Sequence, residues 1–167
     1  MLDRLGDLYV EVVKNEVQPK WKIDRIAGVP TAGLPIATVV SQKMRLPLIY
    51  VRKEQKSHGL GKSIEGVINP SDNILLVDDL VTTGHSTVEE AGILRAKGNV
   101  EHVAVLVDRE QGGPSNLERE GLQLHPLVKI TDVFAYLKEL GAILPNTYET
   151  VMEYVKASAN ISAQQVV

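Results

Sequence analysis

The chain predicts an open, mostly parallel twisted α/β sheet with helices on both faces. Strand-like runs alternate with stretches of helical spacing along most of its length. Some of the strand runs, such as Ile74-Leu75-Leu76-Val77, are apolar at every position, which suits strands covered on both sides. Glycine-containing loops follow several strands and lead into helices, the connection that right-handed crossovers use to return the chain to a parallel sheet.

At 167 residues the chain is expected to form a single domain with a substantial core, without an internal repeat or a dividing linker. Hydrophobic residues make up 44% and the mean hydropathy is -0.03, values of a soluble globular protein. No apolar run reaches membrane-spanning length, and Met1-Leu2-Asp3-Arg4 lacks the basic-then-apolar plan of a signal peptide, so the expected location is cytoplasmic with no membrane partner. The absence of cysteine excludes disulfides, thiolate catalysis and cysteine-based zinc sites. A net charge of -3 and a pI near 5.8 argue against a nucleic-acid partner, so any basic surface must be local.

In order, Leu2, Leu5, Leu8, Tyr9 and Val12 stand three and four apart and predict an amphipathic helix from Asp3 to about Val17, ended by Pro19. Ile23 to Ala27 is a short strand, Gly28-Val29-Pro30-Thr31-Ala32-Gly33 a loop, and Leu34 to Met44 a helix. Pro47 to Val51 is the next strand. Residues 52–66 follow with Arg52, Lys53, Lys56, Lys62, His58 and three glycines, and show neither strand alternation nor a helical stripe. A long basic loop of this kind fits a lid over a ligand, with a solvated excursion as the plain alternative. Gly61-Lys62-Ser63 imitates the end of a nucleotide-binding loop, but the earlier glycine it requires would fall at Lys56, so that reading is rejected.

The strand Ile74 to Val77 leads into an acidic tip, Asp78-Asp79, then Leu80-Val81-Thr82-Thr83-Gly84-His85-Ser86-Thr87, then a helix to about Lys97 stopped by Gly98. His102 to Val107 is a buried strand ending in the polar stretch Asp108 to Gly113. Pro114 to Glu120 is a helix closed by Gly121, Leu122 to Val128 a last strand, Thr131 to Leu137 a helix, and residues 146–157 a C-terminal helix before a frayed tail at 158–167. His85, His102 and His125 lack metal-ligand companions and read as ordinary loop or strand histidines.

The stretch from Ile74 to Thr87 carries the chemistry. A small-residue loop at a helix N-terminus offers unpaired N–H groups and a favourable dipole to a phosphate. Two carboxylates beside it can accept from sugar hydroxyls, so the combination suits a phosphorylated sugar. The plainer alternative is a strand whose terminal Asp and Thr merely cap the next helix. The loop at Gly28 to Gly33 offers a weaker second anion site.

Val77-Asp78-Asp79-Leu80-Val81-Thr82-Thr83-Gly84 resembles the phosphoribosyl-pyrophosphate (PRPP) signature of the type I phosphoribosyltransferases. Arg52-Lys53-Glu54-Gln55-Lys56-Ser57-His58-Gly59 resembles the catalytic loop of the orotate branch of that family. The resemblance extends over about residues 23–142 and implies a set of roles. Asp78 and Asp79 would engage the ribose of PRPP, and Leu80, Val81, Thr82, Thr83, Gly84, His85 and Ser86 its 5′-phosphate. Thr31 and Ala32 would meet the pyrophosphate mainly through backbone groups, since some orotate enzymes have a lysine where this chain has Ala32. Lys56 would act on the leaving pyrophosphate with Arg52, Lys53 and His58, so that Lys56→Ala lowers turnover far more than stability. Arg109 would pair with the carboxylate of orotate, and Thr82 would also touch that base.

Mg2+ is the implied cofactor, held mainly by PRPP and water and with no direct protein ligand. Members of the family commonly form homodimers, in which this loop, here 52–66, reaches the neighbouring site. The match departs at the start. Orotate enzymes normally carry an N-terminal hood with a lysine that helps hold the base, and nothing here corresponds to it, so a reduced hood or a truncated chain is expected. The alternatives are transfer to another base and a non-catalytic PRPP-binding regulatory module.

Overall fold

The computed structural model describes residues 1–52 and 64–164, the side chains of 159–164 excepted. Six strands form one sheet: β1 (Arg25–Gly28), β2 (Leu48–Val51), β3 (Ile64–Glu65), β4 (Asn73–Val81), β5 (Asn99–Asp108) and β6 (Gln123–Lys129). Their order is β3-β2-β1-β4-β5-β6. All neighbours run parallel except β3, which lies antiparallel on β2 with Val51 opposite Ile64. The open, mostly parallel sheet expected from the sequence is therefore present.

Helices cover both faces. On one lie α1 (Leu2–Val12), the π-helical turn Val13–Val17 that continues it, and α2 (Gly33–Met44). Their Tyr9, Val13, Val17, Ile36, Ala37 and Val40 pack on Ile26, Leu75, Val77 and Ala104 of the sheet. On the other face lie α3 (His85–Arg95) and α4 (Gly113–Arg119), whose Ala91, Leu94 and Leu117 meet Ile74, Leu76, Val103 and Val105. Successive residues of β4 thus enter opposite cores, which is why that strand is apolar at every position. α5 (Ile130–Glu139) and α6 (Pro145–Gln164) follow β6, and α5 packs on both α6 and β6. Among the described residues no helix is long and apolar enough to cross a membrane.

Several boundaries differ from expectation. The first helix ends in a π turn closed by Gln18 N–H donating to Val13 O at 3.0 Å; the wider turn keeps both Val13 and Val17 fully buried. The end of the expected basic loop is the edge strand β3, because Ile64 and Glu65 find hydrogen-bonding partners on β2. β4 runs on through both acids to Val81 instead of stopping at Val77, because β5 offers it a partner that far. α3 starts at His85, and it ends at Arg95 before Gly98. That glycine is instead required by a close approach: a Cβ there would lie 2.7 Å from Asp72 O. α6 runs to Gln164, past the expected end near residue 157, so helix stands in most of the stretch expected to be frayed.

Candidate active site

β1 stops short of β4. Its last paired residue, Gly28, stands opposite Val77, while β5 accompanies β4 out to the pair of Val81 with Asp108. From Asp78 onward β4 is open on its β1 side. The chain after β1 turns into α2 on one face, and the chain after β4 turns into α3 on the other. Ligands of open α/β sheets bind in the crevice between two such diverging connections. A cavity of about 210 Å³ occupies it here, lined by Val29, Pro30, Thr31, Ala32, Asp78, Asp79, Leu80, Val81, Thr82, Gly84, Ser86 and Thr87.

Asp78 is buried, and its Oδ1 accepts from the Asp79 amide at 2.8 Å. Burial above all pushes its carboxyl up to about 7; the bond from the Asp79 amide opposes this, and the charges of Asp79 and Glu90 add to it. Among the described residues neither acid is in an ion pair. The backbone around them is tightly packed. A Cβ on Gly33, the first residue of α2, would lie 2.7 Å from Val77 O and 2.9 Å from Asp78 Oδ1. A Cβ on Gly113 would lie 2.6 Å from Thr82 O. Only glycine lets α2 and α4 approach so closely.

The turn after β4 is short. Gly84 caps α3 with φ 82°, a left-handed conformation, and the first helical bond runs from Val88 N–H to Gly84 O at 2.9 Å. The amides of His85, Ser86 and Thr87 precede that bond, so the helix N-terminus keeps donors for an anion at the cavity. Asn116 Nδ2 donates to Thr83 O at 3.0 Å and holds the turn against α4. A cis peptide joins Pro30 to Thr31 at the opposite wall.

A second cavity of about 720 Å³ adjoins the first, sharing Val29, Pro30 and Ser86 and adding Arg52, Glu89, Glu90 and Ile93 among its walls. Arg52 Nη1 is paired with Glu65 Oε1 at 2.9 Å, and Glu90 Oε1 accepts from Val51 N–H at 3.2 Å. Glu89 and Glu90 were missed in the sequence, although their place three and four residues after Ser86 on a helix puts them over the same mouth.

Arg109 lies at the end of β5 and lines neither cavity, as do Thr83 and His85. Its backbone is firmly held. Arg109 N–H donates to Val81 O at 2.9 Å, Glu110 N–H to Asp108 Oδ1 at 2.8 Å, and Thr131 N–H at the start of α5 to Glu110 Oε2 at 3.0 Å. Lys53, Lys56 and His58 lie outside the described residues. His102 and His125, read from the sequence as ordinary strand residues, are joined: His102 Nδ1 and His125 Nε2 stand 3.0 Å apart, and His125 Nδ1 is 2.8 Å from Glu16 Oε2. Adjacent parallel strands bring them together on one face, which sequence separation conceals.

The family model of the phosphoribosyl transferase domain matches residues 1–120. The chain belongs to the phosphoribosyltransferase family. Orotate phosphoribosyltransferase of Pyrococcus abyssi is 46% identical over 129 residues, which cover 76% of this phosphoribosyltransferase and 71% of the relative. Uridine 5′-monophosphate synthase of Bos taurus is 34% identical over 164 residues, 98% of this chain but 34% of that protein. The chain therefore spans about a third of the length of the bovine relative. Among solved structures, orotate phosphoribosyltransferase from Aeropyrum pernix superposes with a TM-score of 0.70 at 33% identity, covering 84% of this chain and 76% of that one. The resemblance read from the Asp78-Asp79 signature and the Arg52 to Gly59 stretch is borne out by these relatives.

Proposed function

We propose that this phosphoribosyltransferase transfers the phosphoribosyl group of PRPP to orotate, giving orotidine 5′-monophosphate and pyrophosphate. The observation that carries the reading is the meeting of a carboxylate pair and a helix N-terminus in one cavity at the diverging ends of β1 and β4. The names borne by the Pyrococcus abyssi and Bos taurus relatives support orotate as the base.

The ribose hydroxyls donate to Asp78 and Asp79, and the donors from Thr82 to Thr87 hold the 5′-phosphate. Thr31 and Ala32, at the opposite wall, face the pyrophosphate through their backbone. As the bond from the ribose carbon to pyrophosphate breaks, the bonding pair leaves with pyrophosphate and positive charge grows on the sugar ring. Fixed carboxylates beside that charge stabilise it more than water would. The ring nitrogen of orotate then forms the new bond to the ribose carbon and releases its proton to bulk water.

Arg52, with Lys53, Lys56 and His58, opposes the charge of the leaving pyrophosphate, while Arg109 and Thr82 meet the base. Mg2+ would be bound mainly through PRPP and water, in keeping with its reluctance to lose its hydration shell. When bound, Mg2+ neutralises part of the pyrophosphate charge. The same reading places the enzyme in the cytoplasm as a dimer, with residues 52–66 of one subunit at the neighbouring site.

A second reading has PRPP bound while the base is not orotate, or no base is turned over. Asp79→Asn tests the main one. Turnover of orotate should fall roughly 100-fold, the usual scale for losing one preorganised charge-stabilising group, with the fold and melting temperature retained. Unchanged turnover would sink the assignment.

A further inference from the structure

The geometry points to Tyr9 as a positioning residue for the acidic pair, a role that rests on the reading of the crevice as a phosphoribosyl-transfer site. Tyr9 belongs to the apolar face of α1 and is fully buried. Its hydroxyl nevertheless donates to the backbone carbonyl of Asp78 at 2.7 Å, 69 positions along the chain. The backbone of Leu106 on β5 lies close enough to act on the phenol as well. The pairing of β4 with β5 runs from Asp78 opposite Val105 to Leu80 opposite Val107 and passes over Asp79 and Leu106. Leu106 is passed over in the pairing of β5 with β6 as well. The phenol oxygen therefore stands between the two strands beside the carboxylates, donating to β4 and facing the backbone of β5.

A hydroxyl can take this place because it is both donor and acceptor, and buried backbone groups must be paired. Burial first, then the nearby charges of Asp78 and Asp79, hold the phenol well above its ordinary range, so it stays a donor. The Asp78 carbonyl belongs to the peptide that joins Asp78 to Asp79. In a strand these two side chains leave on opposite faces, and the orientation of the peptide between them sets how each leans toward the crevice. Tyr9 fixes that peptide from inside the core, without reaching the cavity itself.

Tyr9→Phe keeps the ring and removes only the oxygen. The expected result is a kcat for nucleotide formation lowered roughly tenfold, the cost of a small misplacement of reacting groups, with KM for PRPP changed less than about twofold. The amide resonances of Asp79 and Leu106 should shift while those of Ser86 and Thr87 hold. Replacing Tyr9 by 4-aminophenylalanine keeps a donor that accepts poorly, and should give an intermediate kcat. It also supplies the comparison if Tyr9→Phe does not fold. Wild-type kcat with a lowered melting temperature would make the residue merely structural and overturn the inference. A wild-type chain that turns over no base with PRPP overturns the reading of the site instead; unmoved Asp79 and Leu106 amides would then overturn the placement of Tyr9 separately.

Discussion

Two groups of polar side chains, each built on buried residues, meet α1 and the turn that continues it, and they differ in how they are satisfied: His102 and His125 are buried with the half-exposed Glu16 at their end, and Asp78 is buried beside Asp79. In the first, Glu16, His125 and His102 form a chain with contacts of 2.8 and 3.0 Å, and the Trp21 ring packs on His102 at 4.8 Å between centroids. His125 Nδ1–H can donate to Glu16 while its Nε2 accepts from His102, so every link is made within the protein. In the second, Asp78 takes one bond from the Asp79 amide, and among the described residues no cation pairs with either acid. A closed network stabilises and needs no ligand. An open one, walled by a cavity and a helix N-terminus, retains capacity for hydroxyls and phosphate.

The contrast is broken most severely at the open cluster. Asp78→Asn should lower phosphoribosyl transfer roughly 100-fold in a steady-state assay while the fold persists, since the removed charge faces the ligand. Gly33→Ala adds a Cβ 2.7 Å from Val77 O, and overpacking of this kind costs about 1–3 kcal/mol, read from chemical denaturation. PRPP affinity should fall with it, because α2 moves away from the crevice. His125→Leu should do the reverse: stability drops by about 1–3 kcal/mol as the His102 ring loses its partner, with kcat unchanged at temperatures where the variant is folded.

The smallest effect is the sharpest comparison, because the two clusters titrate in opposite senses. Burial, then His125, holds His102 below its usual value, so below about pH 6.5 the unfolded chain binds the extra proton and stability falls as pH drops. Asp78, raised to about 7, binds its proton in the folded state when the unfolded chain has released it, so stability falls as pH rises from about 4 to 7. Denaturation curves across pH should show Asp78→Asn flattening the second slope and His102→Gln the first. If each variant left its slope in place, the assignment of those groups would fail.

The fold was legible because β4 is apolar on both faces and the loops after β1 and β4 announce helices in small residues. The phosphoribosyl signature from Asp78 to Ser86 was legible for the same local reason: its groups are consecutive in the chain. What escaped notice depends on the third dimension. Tyr9 counted only as one more apolar residue of α1, because a stripe at helical spacing says nothing of where a hydroxyl ends. The histidine chain needed the register of β5 with β6, and the continuation of β4 through its acids needed the length of β5. Arg109, expected at the base, is held by its backbone beside Val81 and lines neither cavity.

The most direct measurement supplies the chain with PRPP and Mg2+ and offers orotate, uracil, hypoxanthine and adenine separately, following nucleotide formation for each. Turnover of orotate alone is the expected result. Turnover of another base in preference to orotate, or PRPP binding with no turnover of any base, would contradict it.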